Sequence, residues 1–150
     1  ILEEVQGNNF VYLSADGIRF IINNGKIIRT SGFDNNLIKI DEPKSKIREF
    51  LKSNLTKENF LIYHSYDKPR LNQLKLKVTL EKKGKENLFI LDNAYELSRV
   101  EETIENEYLG WKRKNIYWFS PEDLFVWKSE QHLSPLLPKV IYEVTKKPTL

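Results

Sequence analysis

The sequence of 150 residues contains no cysteine and no methionine. Without cysteine, this chain can form no disulfide bond, thiol nucleophile or thiolate metal site. Without methionine it has no initiator residue, so we expect further residues before Ile1, and any signal peptide or lipidated cysteine would lie there. The sequence also lacks any apolar run near the roughly 18–20 residues that a membrane-spanning helix needs.

The chain also lacks a large excess of positive or negative charge. The chain carries 24 basic and 21 acidic side chains, a formal net charge of +3, which argues against a dedicated nucleic-acid-binding protein. Hydrophobic residues make up 40% and charged residues 30%, so the composition fits neither a disordered chain nor a membrane bundle. No linker, repeat or low-complexity stretch interrupts the chain, and we therefore expect a single domain over residues 1–150.

Short alternating runs of polar and apolar residues dominate the sequence and predict an antiparallel sheet. Asn24-Gly25 separates two apolar runs and predicts a hairpin with a type I′ turn. Residues 74–80 alternate leucine or valine with lysine or threonine, which favours a strand with one solvated face over a basic binding patch. The predicted strands are residues 10–13, 18–22, 26–30, 60–66, 73–82, 87–91, 95–104, 116–119, 125–133 and 140–145.

One helix is predicted among these strands, over residues 44–52. An acidic pair followed by Pro43 is typical of a helix start. Ile47, Phe50 and Leu51 form one short apolar stripe, and a helix of this length must pack on the sheet to be stable. We therefore predict a mainly β domain: a large curved antiparallel sheet, flattened barrel or half-barrel with one or two short helices.

Every tryptophan lies in one aromatic-rich segment, residues 111–127. Strand alternation places aromatic rings on both faces of residues 116–119, so we expect at least one ring to meet solvent or another structural layer. Exposed rings beside polar donors can stack on sugars, although a buried core accounts for most of these rings. The candidate glycan or partner contacts are Trp111, Tyr117, Trp118, Trp127, Lys128, Gln131 and His132.

Catalysis has little support in the sequence. Glu105 and Glu107 would lie roughly 7 Å apart on one strand face, within the ~6.5–9.5 Å separation of inverting glycosidases. Exposed glutamates are routine before a turn, however, and nothing nearby in sequence supplies the apolar pocket that would raise one pKa. His64 and His132 do not specify a metal site, and no nucleophile elbow or phosphate-binding loop is present. We therefore predict a non-enzymatic protein with no metal and no cofactor.

Three segments resemble a known family. VYLSADGIRF (11–20), NNGKIIRTSGFDNNL (23–37) and YWFSPEDLFVWKSEQHLSP (117–135) are similar, in this order, to the GfcB/YjbF family of lipoproteins. These lipoproteins are associated with group 4 capsule and related exopolysaccharide loci in Gram-negative bacteria. Two departures stand out: Lys26 occupies a position where arginine is expected, and Leu124 occupies one where a turn glycine is common.

The resemblance implies a signal peptide and a lipidated cysteine, both absent from this chain, and a domain lipid-anchored in the outer membrane on its periplasmic face. The partners that it implies are a polysaccharide or polysaccharide-export proteins, including a periplasmic partner and an outer-membrane β-barrel. We expect the protein to assist export or assembly of capsular or extracellular polysaccharide, by contacting glycan or by holding a partner. Two alternatives stay open: a periplasmic carrier with an acyl chain inside a curled sheet, in a cavity of roughly 300 Å³ or more, and a glycan hydrolase.

Overall fold

The computed structural model describes residues 1–42 and 46–149, and two antiparallel sheets hold nearly all of their regular structure. The first sheet has four strands in chain order: β1 (Leu2–Gln6), β2 (Asn9–Leu13), β3 (Arg19–Asn23) and β4 (Lys26–Ser31). The second sheet has seven strands, in the order β11 to β5, and curves into a half-barrel. Its strands are β5 (Leu37–Asp41), β6 (Lys57–Tyr66), β7 (Leu71–Ile90), β8 (Asn93–Asn106), β9 (Trp111–Phe119), β10 (Val126–Gln131) and β11 (Val140–Glu143). The predicted mainly β fold with a half-barrel is confirmed.

Helix α1 (Lys46–Lys52) packs against the half-barrel. Ile47 and Phe50 are buried in the same core as the sheet residues, and Leu51 packs against that core. The apolar stripe therefore packs the helix against the sheet, as its spacing predicts. The predicted helix start at residues 43–45 lies outside the described residues. Within the described ranges, no helix is long and apolar enough to cross a lipid bilayer.

The predicted strands 73–82 and 87–91 are a single strand, β7. Pairing with β8 continues through the charged run between them, with a bulge at Gly84, which has a φ of 104°. Beyond Glu81 on β7 and Ser98 on β8, the two strands pair only with each other among the described strands. We call this extension, residues 83–97, the arm.

Three further strand predictions need correction. β1 was missed because all five of its residues are exposed, so its sequence carries no buried face. β5 was also missed. β9 begins at Trp111 rather than at residue 116, because its exposed Lys-Arg-Lys run hides a strand whose first residue is buried.

Two hydrophobic cores hold the domain together. The larger fills the concave side of the half-barrel, where Phe50, Leu76, Leu80 and Val100 are fully buried. The smaller contains Ile22, Ile27 and Leu133, between the four-stranded sheet and the segment after β10. Tyr142 on β11 packs against both cores, so the two sheets share a continuous interior.

The turn between β3 and β4 is inserted against β10. Asn24 and Gly25 have φ values of 48° and 85°, as the predicted type I′ turn requires. A Cβ atom on Gly25 would lie 2.3 Å from Cγ2 of Val126, so only glycine allows the backbone to approach this closely. The turn is thus a contact between the two sheets and not only a loop.

We expect Gly25→Ala to destabilise the fold far more than Gly17→Ala. Both glycines have nearly the same φ, 85° and 86°, but a Cβ on Gly17 meets no atom within 4 Å. The Gly17 variant should lose about 1–2 kcal/mol from left-handed backbone strain alone, and the Gly25 variant about 1–3 kcal/mol more from overpacking. Denaturant unfolding measures both values, and equal losses would contradict the close contact with Val126.

Candidate functional site

A buried ion cluster lies where the β3–β4 hairpin meets the half-barrel. The Lys26 ammonium is 3.3 Å from Oε2 of Glu42 and 3.5 Å from Oε2 of Glu102. Glu102 projects from β8 into the interior, where its Oε1 accepts hydrogen bonds from Asn115 Nδ2 and from the Tyr117 hydroxyl, both at 2.9 Å. These partners satisfy a charge that would otherwise be too costly to enclose.

The enclosure changes the protonation of these groups. Burial alone would lower the pKa of Lys26, but attraction from Glu102 and Glu42 outweighs it and raises that pKa. Burial raises the pKa of Glu42 against the opposing effect of Lys26. Burial, followed by the charge of Glu102, raises the pKa of Tyr117 well above its usual value, so its hydroxyl stays a donor. The cluster is therefore built around one cation whose charge is kept inside the fold.

We expect Lys26→Met to destabilise the protein by about 3–5 kcal/mol, because it leaves the buried Glu102 carboxylate without its cation. The control is Lys39→Met. That ammonium also pairs with a carboxylate, at 3.3 Å from Asp41, but its side chain is 65% exposed. The control should lose no more than about 1 kcal/mol. Chemical denaturation of both variants tests the difference, and a similar loss in both would refute a structural role for the buried pair.

His64 extends the cluster as a neutral side chain. Its Nδ1 is 3.0 Å from the Tyr66 hydroxyl, which donates to the carbonyl oxygen of Leu133 at 2.6 Å. The hydroxyl oxygen therefore accepts from Nδ1–H, and Nε2 of His64 is buried with no hydrogen-bond partner among the described residues. Burial, followed by the nearby charge of Lys26, lowers the pKa of His64 to about 3.

We expect His64 to make the fold sensitive to acid between pH 6.5 and about 3. In the unfolded chain the imidazole takes up a proton near pH 6.5, whereas in the folded chain its pKa is about 3. Stability should therefore fall as the pH falls through this window, by up to about 1.4 kcal/mol per pH unit.

The measurement is the free energy of unfolding at several pH values between 6.5 and 5. His64→Gln should flatten the pH dependence relative to the unmodified chain. His132→Gln is the matched control and should flatten it less, because His132 is only partly buried. An unchanged slope in the His64 variant would contradict the buried neutral imidazole.

Gln131, one of the candidate contact residues, joins the two sheets. Its Oε1 accepts from the backbone N–H of Ile27 at 2.9 Å, and its Nε2 donates to the carbonyl oxygen of Gly25 at 2.8 Å. Nε2 also donates to Ser129 at 2.9 Å. The side chain is 2% exposed, and all of these bonds are internal, so Gln131 holds the β3–β4 hairpin in place.

Three of the four candidate rings are buried. Trp111 and Tyr117 belong to the larger core. Trp118 points to the opposite face, where the arm covers it and Nε1 donates to Glu86 at 2.6 Å. Two cations from the neighbouring strands lie over its ring. The Arg99 guanidinium carbon is 5.6 Å from the ring centroid, and the Lys128 ammonium is 5.3 Å from it. The face of β9 that carries Trp118 is therefore covered by a second structural layer, the arm. All three rings are inaccessible to a sugar.

Trp127 is the candidate ring that keeps a partly exposed surface. It stacks on Tyr95 of the arm, with ring centroids 4.7 Å apart, and Phe125 meets it edge-on at 5.0 Å. Lys128 is partly buried and pairs with Glu143 at 3.2 Å. His132 is partly buried as well, and its backbone N–H donates to Asn115 at 2.7 Å. Trp127 is therefore the ring of this group best placed for contact with a ligand.

The two glutamates considered for hydrolysis lie outside any apolar enclosure. Glu107 is 70% exposed at its side chain and pairs with Lys77 at 3.0 Å. Glu105 stands directly between Lys77 and Lys112 on the neighbouring strands. A carboxyl group that must hold a proton at neutral pH needs a buried, apolar setting. The arrangement gives no support to an acid and base pair at these positions.

A groove of about 370 Å³ lies between the four-stranded sheet, helix α1 and the turn from β9 to β10. We call it the inter-sheet groove. Its aromatic lining residues are Phe10, Tyr12, Phe125 and Tyr142. Its polar and charged lining residues are Asn8, Asn24, Arg48, Asp123 and Lys147. Such a wall suits a ligand that offers both apolar faces and hydrogen-bonding groups.

The inter-sheet groove was not predicted from the sequence. None of the seven candidate contacts lines it, although Phe125 lies beside Trp127. Its wall combines residues far apart in the chain, such as Phe10 and Tyr142, which no local pattern connects. The ion cluster, in contrast, left a signal: Glu102 shares strand parity with the apolar Val100 and Ile104, which marks a charge on a buried face.

A second groove of about 370 Å³ continues from the first, with which it shares Tyr12, Ile22, Tyr142 and Val144. Both grooves lie between the sheets rather than inside the half-barrel. The concave side of the half-barrel is occupied by packed side chains of the larger core. The acyl-carrier alternative needs a cavity in that space. Among the described residues, no group of three or more His, Asp or Glu is arranged to hold a metal ion.

Comparison with known proteins identifies the family. The model for the group 4 capsule polysaccharide lipoprotein family GfcB, YjbF matches residues 1–144. The chain belongs to this family. A solved structure with a similar fold is that of the hypothetical lipoprotein YmcC from Escherichia coli (K12), with a TM-score of 0.74 and 18% sequence identity over 89% of this chain and 71% of that chain. A search of curated proteins finds no match.

The resemblance predicted from the three segments is thus confirmed. Membership associates the protein with capsule polysaccharide and with lipoproteins. Two of those segments contact each other in the fold. Gly25 and Lys26 come from the second segment, and Val126 and Gln131 come from the third. The residues that carry the family likeness therefore build the junction between the sheets.

Proposed function

We propose that this protein is a non-enzymatic accessory lipoprotein that assists export or assembly of a capsular polysaccharide by contacting the glycan in the inter-sheet groove. The observation that carries the proposal is the combination of ring faces and polar side chains around one cavity of about 370 Å³. Ring faces can stack on the apolar faces of sugars, while amide and charged groups can bond to hydroxyl groups. The family association with capsule polysaccharide supplies the class of ligand.

A lipid anchor would give this groove its location. In our proposal the domain is held at the outer membrane and faces the periplasm, through a lipidated residue outside this chain. Polysaccharide-export proteins, including a periplasmic partner and an outer-membrane β-barrel, would then lie within reach. Contact in an open groove fits a polymer in transit, because a chain can enter and leave without being enclosed.

A second role, holding a protein partner, is favoured by the tip of the arm. Phe89 and Leu91 are 75% and 70% exposed there, and both are large apolar side chains. The arm extends past its neighbouring strands, so this tip is accessible. Exposed apolar side chains at a projecting tip are suited to docking on another protein.

The test is an NMR titration with oligosaccharides from the source organism's own capsule. We expect saturable shifts at groove residues, and Phe10→Ala should weaken binding about tenfold or more, because loss of an aromatic anchor commonly costs over 1 kcal/mol. Phe89→Ala is the control, since it removes an exposed ring outside the groove. It should leave the affinity unchanged.

Thermal unfolding of both variants verifies that they remain folded at the titration temperature. The absence of shifts at millimolar oligosaccharide would overturn direct glycan contact and favour the partner-holding role. Shifts confined to the arm, with no response in the groove, would also contradict the proposed site.

A further inference from the structure

We infer that the inter-sheet groove takes an anionic segment of its glycan, with a carboxylate or phosphate group seated against Arg48. This inference rests on the proposed function, because it specifies the chemistry of the ligand in the same groove. It goes further by predicting that the polysaccharide carries negative charge and that one side chain of the protein recognises it. The argument depends on the charges that line the groove and on their partners.

Arg48 is a partly buried cation without a counter-ion in the part of the chain that the structure describes. It lies on α1 and lines the groove, and it makes no hydrogen bond or ion pair with the residues of ranges 1–42 and 46–149. The neighbouring cation on the same helix is different. Lys46 pairs with Glu49 at 3.8 Å and with Glu58 at 3.3 Å. Arg48 is therefore available to a ligand, whereas Lys46 is already engaged.

The other two charges in the groove neutralise each other. Lys147 forms an ion pair with Asp123. Burial would raise the pKa of Asp123, but the hydrogen bonds from Lys147 and from the Phe125 backbone N–H, together with the charge of Lys147, outweigh it and lower that pKa, so the carboxylate stays charged. The positive charge of Arg48 is then the uncompensated charge among the described lining residues.

The chemistry of a guanidinium group selects the ligand. Its planar donors match two oxygens of a carboxylate or phosphate group, and such charge-assisted pairs are stronger than neutral hydrogen bonds. The partly enclosed position of Arg48 reduces screening by water, which strengthens the attraction to an anion. Phe10 and Asn8 line the same groove and can contact the sugar ring that carries the acidic group.

The experiment compares capsule oligosaccharides of the source organism before and after removal of their charge. One sample has its carboxyl groups reduced to alcohols, and another has its phosphate groups removed with aqueous hydrogen fluoride. Affinities for the unmodified protein, Arg48→Gln and Arg29→Gln are measured by NMR titration. Arg29 is the matched control, because it is an exposed arginine on β4 that does not line the groove.

We expect Arg48→Gln to weaken binding of the native oligosaccharide at least tenfold, and Arg29→Gln to change it less than twofold. One of the two chemical treatments should weaken binding to the unmodified protein by a similar factor, and it identifies the anion as carboxylate or phosphate. With the treated oligosaccharide, Arg48→Gln should cause no further loss. Arg48→Lys should restore part of the affinity.

Three results would overturn the inference. The first is that both treated oligosaccharides bind as tightly as the native one and that Arg48→Gln has no effect on affinity. The groove would then bind glycan without recognising its negative charge, and the proposed function would stand. If Arg48→Gln weakens native and treated oligosaccharides equally, Arg48 acts through the shape of the groove. If the native oligosaccharide produces no shifts at all, the proposed function fails as well.

Discussion

The insertion of the β3–β4 turn against β10 is the contact on which the rest of the structure depends. Gly25 allows the turn to approach Val126, and Lys26 then reaches Glu42 and Glu102 inside the half-barrel. Gln131, also on β10, bonds to the same turn. This junction sets the distance between the sheets and so determines the width of the groove between them.

A buried ion cluster is a poor source of net stability, because enclosing charges costs desolvation energy that their attraction only partly returns. Its effect here is on specificity. Lys26, Glu102 and Tyr117 are all satisfied only when the hairpin docks in this one register. A shift of one residue would turn Lys26 away from the interior and leave Glu102 enclosed without a cation. The cluster therefore favours one arrangement of the two sheets over its neighbours.

The family segments contribute both to the junction between the sheets and to the lining of the inter-sheet groove. The segments that resemble the family form the junction, and most of the aromatic rings near the tryptophans fill the core or lie beneath the arm. The inter-sheet groove takes part of its lining from the same segments, including Gly25 and Val126, and part from residues outside them, including Phe10 and Arg48.

The sequence by itself determined the strand-rich class, the turn at Asn24-Gly25 and the short helix, because each depends on local spacing or backbone preference. Only the tertiary structure decided that β7 continues through Gly84, that the arm covers Trp118, and that Arg48 and Phe10 line one cavity. Alternation tells which residues of a strand share a face, but not which layer covers that face. Burial and site geometry therefore depend on contacts between distant parts of the chain, and these form only when the sheets pack together.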